Sequence, residues 1–262
     1  MKNCMPYRLY FLLLIIVLTI TSSKAQEKAF QEGEWLDYKV KYGWFNASEA
    51  SLEVKLDKLD GKTVYHIKGY GKSTGLLDVF FKVRDRYETY VDTQQVKPYK
   101  FIRDLSEGGY TKNKMIRFDH SQNTATVHDY KYDTVHKHKF TDKTQDMLSA
   151  LYHLRNQVKN EELKQGDEYN LNMFFDEQNF DFKTKFLGRE VIETKFGKVK
   201  CLIFRPYVKS GRVFEEQESV TVWISDDKNK IPIQIKADLA VGSLTAKLNN
   251  FKGLKHPFKI MM

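Results

Sequence analysis

Three histidines, His128, His136 and His138, come closest in spacing to a reactive constellation. In a hairpin that turns near Lys131 and Tyr132, His128 faces His136 across the ladder and His138 lies on the same side two residues on. Imidazoles grouped in this way could hold a divalent metal. The segment is also rich in Lys, Tyr and Asp, the composition of a solvated hairpin on which histidines are ordinary surface residues, so metal binding is the lesser reading. Ser73 stands between Gly71 and Gly75 in the G-x-S-x-G spacing that, in hydrolases, lifts a nucleophile on a sharp turn between strand and helix. The chain around it shows no alternation of strands and helices, and the run reads as a glycine-rich turn. Asp226 and Asp227 are adjacent, and neighbours on a strand or turn point apart, so they read as turn carboxylates rather than an acid pair. Cys201 alternates with Val199 and Ile203 on a face that reads as core. No acid, base and nucleophile fall into one pattern. The chain therefore reads as a binder before a catalyst, with no cofactor called for.

Arg155 is the charged residue the pattern leaves unexplained. The stretch Thr144 to Asn156 carries the helical period, with Met147, Leu148, Ala150, Leu151, Tyr152 and Leu154 on one arc and Asp146, Ser149, His153 and Asn156 on the remainder. Thr144 is placed as the N-cap, and Asp146 puts negative charge in the first turn, where the helix dipole favours it. Arg155 falls inside the apolar arc. Its guanidinium must reach past the helix end, or meet a carboxylate or an anionic ligand.

Almost everything else alternates with the period of two that marks β-strands. Strand signals run from Trp35 to Leu105 and Tyr110 to Phe140 before the helix, and from Tyr169 to Phe251 after it. Asp60 and Gly61 supply a hairpin turn. Leu76, Leu77, Val79, Phe80 and Phe81 are too dense for a solvated loop and are expected to cover an open end of a barrel or to form a short buried helix. About a dozen strands with one helix predict an all-β, mainly antiparallel fold, a curved sheet or barrel-like structure around a central helix.

Two segments, VDTQQVKPYKFIRD and SDDKNKIPIQIKAD, repeat one pattern: Asp92 matches Asp226, Pro98 matches Pro232, Phe101 matches Ile235 and Asp104 matches Asp238. Each proline opens a strand, where its missing N–H does no harm. The match suggests two related halves, 34–140 and 168–251, flanking helix 144–156 within one β-rich domain, 26–262.

Residues 1–25 read as a secretory signal peptide: Lys2 and Arg8, then the apolar run Leu9 to Ile20, then Ser23 and Ala25. The run is short for a bilayer span, and no transmembrane span is expected after cleavage. With Cys4 lost in the leader, Cys201 is left without a partner, so no internal disulfide supports an exported fold. The formal charge of +9 comes from 43 basic and 34 acidic residues that are interspersed rather than clustered. That distribution describes solvated strand faces and argues against nucleic-acid binding.

The ordered segments TGLLDVFFKVRDRYETYVD, QDMLSALYHLRN, FLGREVIETKFGKVKCLIFRP and SVTVWISDDKNKIPIQIKADLAVGSLTAKL resemble exported bacterial proteins grouped as domain of unknown function 3108, in particular their Bacteroidota branch. The resemblance spans nearly the whole chain beyond the leader. It implies an exported, periplasmic or outer-envelope protein and carries no catalytic residues with it. The expected function is binding of a hydrophobic or lipid-like ligand in a barrel-like interior, with Arg155, Tyr152, Leu151, Phe80 and Phe81 as candidate contacts. The alternative is an envelope assembly factor acting on a protein partner, for instance by strand addition at a free sheet edge.

Overall fold

The computed structural model describes residues 27–208 and 220–261, and the expected leader, residues 1–25, lies outside the described residues. The chain runs β1 (Trp35–Tyr42), β2 (Phe45–Leu59), β3 (Lys62–Ser73), α1 (Gly75–Phe80), β4 (Val83–Asp92), β5 (Pro98–Glu107), β6 (Tyr110–Asp119), β7 (Thr124–Asp129) and β8 (Thr134–Lys139). Helix α2 (Met147–Gln157) follows, then β9 (Glu168–Phe175), β10 (Gln178–Thr194), β11 (Gly197–Val208), β12 (Val220–Ser225), β13 (Pro232–Asp238) and β14 (Ser243–Lys252).

All 14 strands among the described residues join one antiparallel sheet in the order 8-7-6-5-4-3-2-1-14-13-12-11-10-9. Two meanders thus meet where β1 pairs with β14, and α2 links the two outer edges, β8 and β9. The expected all-β curved sheet with a central helix is what the chain forms. β5 and β13 open on Pro98 and Pro232, the two prolines of the sequence match. At the β2–β3 turn Asp60 and Gly61 both adopt positive φ (51° and 79°), the geometry that lets a two-residue turn follow the strand twist.

The sheet curls without closing. Its β9–β10 tip folds onto the other end of the sheet: Asp176 pairs with Arg103 at 2.7 Å and with Lys112 at 2.8 Å, and Glu177 pairs with Lys114 at 2.5 Å. Beneath these pairs Phe174 is fully buried against Phe118 and Phe140. Just before α2, Gln145 makes a parallel bridge to Met173 that covers part of the free edge of β9.

Helix α2 lies inside the curl. Leu148 packs with Phe101, Ile116 and Val127, and Tyr152 packs with Phe30, Val54, Ile67 and Val91. Leu148 lies over Gly69 of β3, where even an added Cβ would sit in ordinary contact with its side chain at 3.4 Å. Each large side chain removed from water in this way contributes about 1.5–3 kcal/mol. The helix starts later than its periodicity suggests. Asp146, not Thr144, is the N-cap: its carboxylate accepts from the Leu148 and Ser149 N–H groups, while Ser149 Oγ accepts from the Asp146 N–H. Gln145 is held in the bridge to β9 and cannot enter the helix.

Candidate functional site

Helix α2 buries Leu148, Ala150 and Tyr152 of its apolar arc as expected, but it also buries polar residues of the face expected to be wet. Asp146, Ser149 and Arg155 are buried, whereas Met147, Leu151 and Leu154 are partly open. These three buried polar side chains are satisfied within the protein, whereas the buried Tyr152 hydroxyl on the same helix has no hydrogen-bond partner. Asp146 also accepts from the Thr89 hydroxyl at 2.5 Å, and burial pushes its carboxyl up to about 6 against the opposing pull of its hydrogen bonds. Arg155 donates to both carboxylate oxygens of Glu34 at 2.6 and 2.7 Å and to the Asn229 carbonyl at 2.9 and 3.1 Å. Burial alone would lower the pKa of this guanidinium, but the Glu34 carboxylate overrides it and raises it. Of the two partners the sequence allowed for Arg155, an internal carboxylate holds it here.

The partly open stripe of Met147, Leu151 and Leu154 faces a cavity of about 340 Å³ between α2 and the inner face of β9–β12. Met173, Phe175, Phe180 and Phe182 form one wall, and Phe204, Val222 and Ile224 another. Thr184 and Arg155 are the polar residues at its border. The strand residues reach this space because they share one face: Phe182 stands opposite Leu171 and Phe180 opposite Met173 across the β9–β10 ladder. The volume lies in the range of small-molecule pockets, roughly 300–1,000 Å³, and the lining matches their usual apolar character.

A larger, polar cleft of about 710 Å³ lies nearby, bordered by His153 and Gln157 of α2, Lys183 and Lys185 of β10, and Glu168 and Asn170 of β9. Lys183 pairs with Glu168 at 3.0 Å, so the two signs of charge largely answer each other there.

The sequence-derived candidates divide accordingly. Leu151 and Arg155 border the apolar cavity. Tyr152 does not; it points into the core on the other side of α2, its ring edge-on to Phe30 at 4.7 Å. Phe80 and Phe81 do not line the cavity. Phe80 ends α1 and Phe81 caps it; α1 is a short helix without a single buried residue, so the expected short buried helix is corrected: Leu76, Val79 and Phe80 are at least 70 % exposed. Phe81 lies over Gly108, where a Cβ would run into its ring. The sequence reading missed Met173, Phe175, Phe180 and Phe182, although their alternation on one strand face was visible.

The histidine trio is not assembled. The ladder pairs His128 with Val135 and His136 with Val127, one residue off the expected register, so His128 lies on the opposite face from His136 and His138. The four-residue turn Tyr130–Asp133, closed by Asp133 at φ 52° and by the Asp129 carboxylate accepting from the Lys131 N–H, fixes that register. His138 instead meets Glu177 at 3.2 Å, and no group of metal-ligating side chains fit to hold an ion occurs among the described residues. Ser73 ends β3 with its hydroxyl donating to Asp78 at 2.5 Å and accepting from the Val83 N–H, a wiring that secures the turn. Asp227 gathers the Ser225 hydroxyl and the Asn229 and Lys230 N–H groups, while Asp226 turns to Asn160. Cys201 is buried, and desolvation pushes its thiol up to about 12.

A curled antiparallel sheet wrapped on one helix, with an apolar cavity beside that helix, defines a barrel-like β protein. The chain belongs to the family described as protein of unknown function (DUF3108), whose model matches residues 37–249. No curated protein matches it. Among solved structures, a beta-barrel-like protein of domain of unknown function DUF1849 from Brucella abortus is similar in fold, with TM-score 0.56 and 8 % identity over 87 % of this chain and 100 % of that one. A DUF1089 family protein from Pseudomonas aeruginosa aligns at TM-score 0.36 and 7 % identity, covering 73 % of this chain and 90 % of that one. No helix among the described residues is long and apolar enough to cross a membrane.

Proposed function

We propose that this is an exported envelope protein of Bacteroidota type that binds a hydrophobic, lipid-like molecule in the cavity beside α2. The observation that carries this reading is the half-open stripe of Met147, Leu151 and Leu154. The central helix buries Asp146, Ser149 and Arg155 in satisfied networks yet leaves three apolar side chains bordering a cavity lined by phenylalanines. An apolar guest in a cavity of this size would replace water against leucine and phenylalanine side chains and gain their dispersion contacts. The cavity has room for about ten methylene groups, if each takes close to the ~30 Å³ of a water in the liquid. Because Glu34 and Asn229 already engage Arg155, recognition rests on shape and apolar contact rather than on a headgroup ion pair.

The test is titration with the fluorescent apolar probe N-phenylnaphthylamine, followed by displacement with long-chain fatty acids. Leu151→Trp and Leu154→Phe, which fill the cavity, should each weaken binding by about tenfold or more. A protein that leaves the probe dark, or variants that bind it as well as the wild type, would overturn the reading.

A second reading, an assembly factor that adds a partner's strand, draws on the outer edge of β8, which pairs with β7 on its other side. Lys137 and Lys139 alternate along that edge, the kind of charge that discourages edge pairing, so this reading stands second.

A further inference from the structure

The two ends of the curled sheet differ sharply in chemistry. In an antiparallel meander the turns fall alternately at opposite ends, so the β1–β2, β3–β4, β5–β6, β7–β8 and β13–β14 connections share one rim and lie side by side along it. The opposite rim carries Asp60 and Gly61, the His120–Asn123 turn and the Asp226–Lys230 turn, all polar. Every large apolar side chain more than two-thirds exposed among the described residues is on the first rim: Trp44, Leu76, Val79, Phe80, Tyr132 and Val241. They come from four different turns, so a patch is built from sequence-distant tips.

Scattered apolar residues on a surface need no explanation, but a contiguous fringe of them marks an interaction surface. Its composition specifies the partner. Aliphatic and Phe tips accompany Trp and Tyr, the amphipathic rings that settle at a membrane interface. Lys41, Lys82 and Lys131 stand exposed among them, Lys131 lying 5.5 and 5.6 Å from the rings of Tyr110 and Tyr132. Most acids of this end are turned to internal partners: Asp78 to Arg84, Glu49 to Lys72, Asp129 to Lys114 and Asp238 to Lys236. Among the described residues of this end, Asp133 and the carboxyl pair Asp85 and Glu107 remain as the opposing charges. We infer that this rim docks on the surface of an anionic phospholipid bilayer, its apolar tips entering the headgroup region and its lysines meeting lipid phosphates. Phe175 and Phe180 flank the β9–β10 turn at the same end of the sheet, so the docked rim would bring the apolar cavity toward the lipid. The inference does not depend on the cavity being a binding site.

Flotation of the purified protein with vesicles of phosphatidylcholine, alone or doped with phosphatidylglycerol, tests it. The combined variant Trp44→Ser, Val79→Ser, Phe80→Ser changes only exposed side chains and should lower vesicle binding by about tenfold or more. Lys82→Gln and Lys131→Gln should each cost about fivefold, on the doped vesicles alone. Val191→Ser, an exposed apolar position near the opposite rim, should bind as the wild type does. All forms share one N-terminus, so differences report the rim. Flotation of the triple variant equal to the wild type, or absent for both, would overturn the inference. So would a wild-type dimer in sedimentation that the triple variant dissolves without vesicle binding, which would assign the rim to a second copy of the chain.

Discussion

Arg155 and Glu34, 121 residues apart, meet in a two-pronged ion pair at 2.6 and 2.7 Å with side chains 1 % and 0 % exposed. The pair ties α2 to the segment that leads into β1, and the Asn229 carbonyl of the β12–β13 turn joins it. Three distant parts of the chain are thereby fixed to one guanidinium.

Arg155→Met should therefore destabilise the fold by about 3–5 kcal/mol, since it leaves a buried carboxylate without its partner. The double change Arg155→Met, Glu34→Met removes both charges and should recover much of the loss. Urea unfolding of the four forms measures the cycle. Equal stability of wild type and Arg155→Met would show that the pair does not hold the helix.

Asp146 sets a pH dependence. Its carboxyl titrates at about 6 in the folded protein, above its ordinary value of 3.8, because burial penalises the charge. The folded state thus binds the proton more tightly than the unfolded chain does. The stabilisation is complete below the unfolded value and is lost as pH rises through about 6, at most about 3 kcal/mol. Asp146→Asn keeps an oxygen to cap the helix and should flatten this slope between pH 4 and 7. A variant with the same pH profile as the wild type would place the dependence elsewhere.

Cys201 is buried, and its thiol is held in the protonated form by desolvation. Labelling by a thiol reagent at neutral pH should be negligible in the native protein and complete in denaturant, at a rate that follows unfolding. Rapid labelling under native conditions would show that β11 opens on its own.

Much of the architecture was legible because hairpin strands declare themselves locally. Alternation located the strands, Pro98 and Pro232 marked the first residues of β5 and β13, and Asp60 with Gly61 marked a turn. The site was less legible, for three physical reasons. Helical periodicity presumes a wet face, but α2 lies inside the curl, so Asp146 and Ser149 are as buried as Leu148. The partner of Arg155 lies in another part of the chain, and no local pattern points to Glu34. Hairpin register depends on turn length, and one residue in the Tyr130–Asp133 turn moved His128 to the other face. Density of apolar residues also misled at Leu76 to Phe81, where the side chains crowd a rim instead of a core.

Mass spectrometry on the protein purified from its native host, under native and then denaturing conditions, tests the central claim most directly. A defined apolar species bound in near-stoichiometric amount, released on denaturation and missing from Leu151→Trp, is the expected result. The same species retained by Leu151→Trp, or wild-type protein of the bare chain mass that also takes up no added fatty acid, would contradict it.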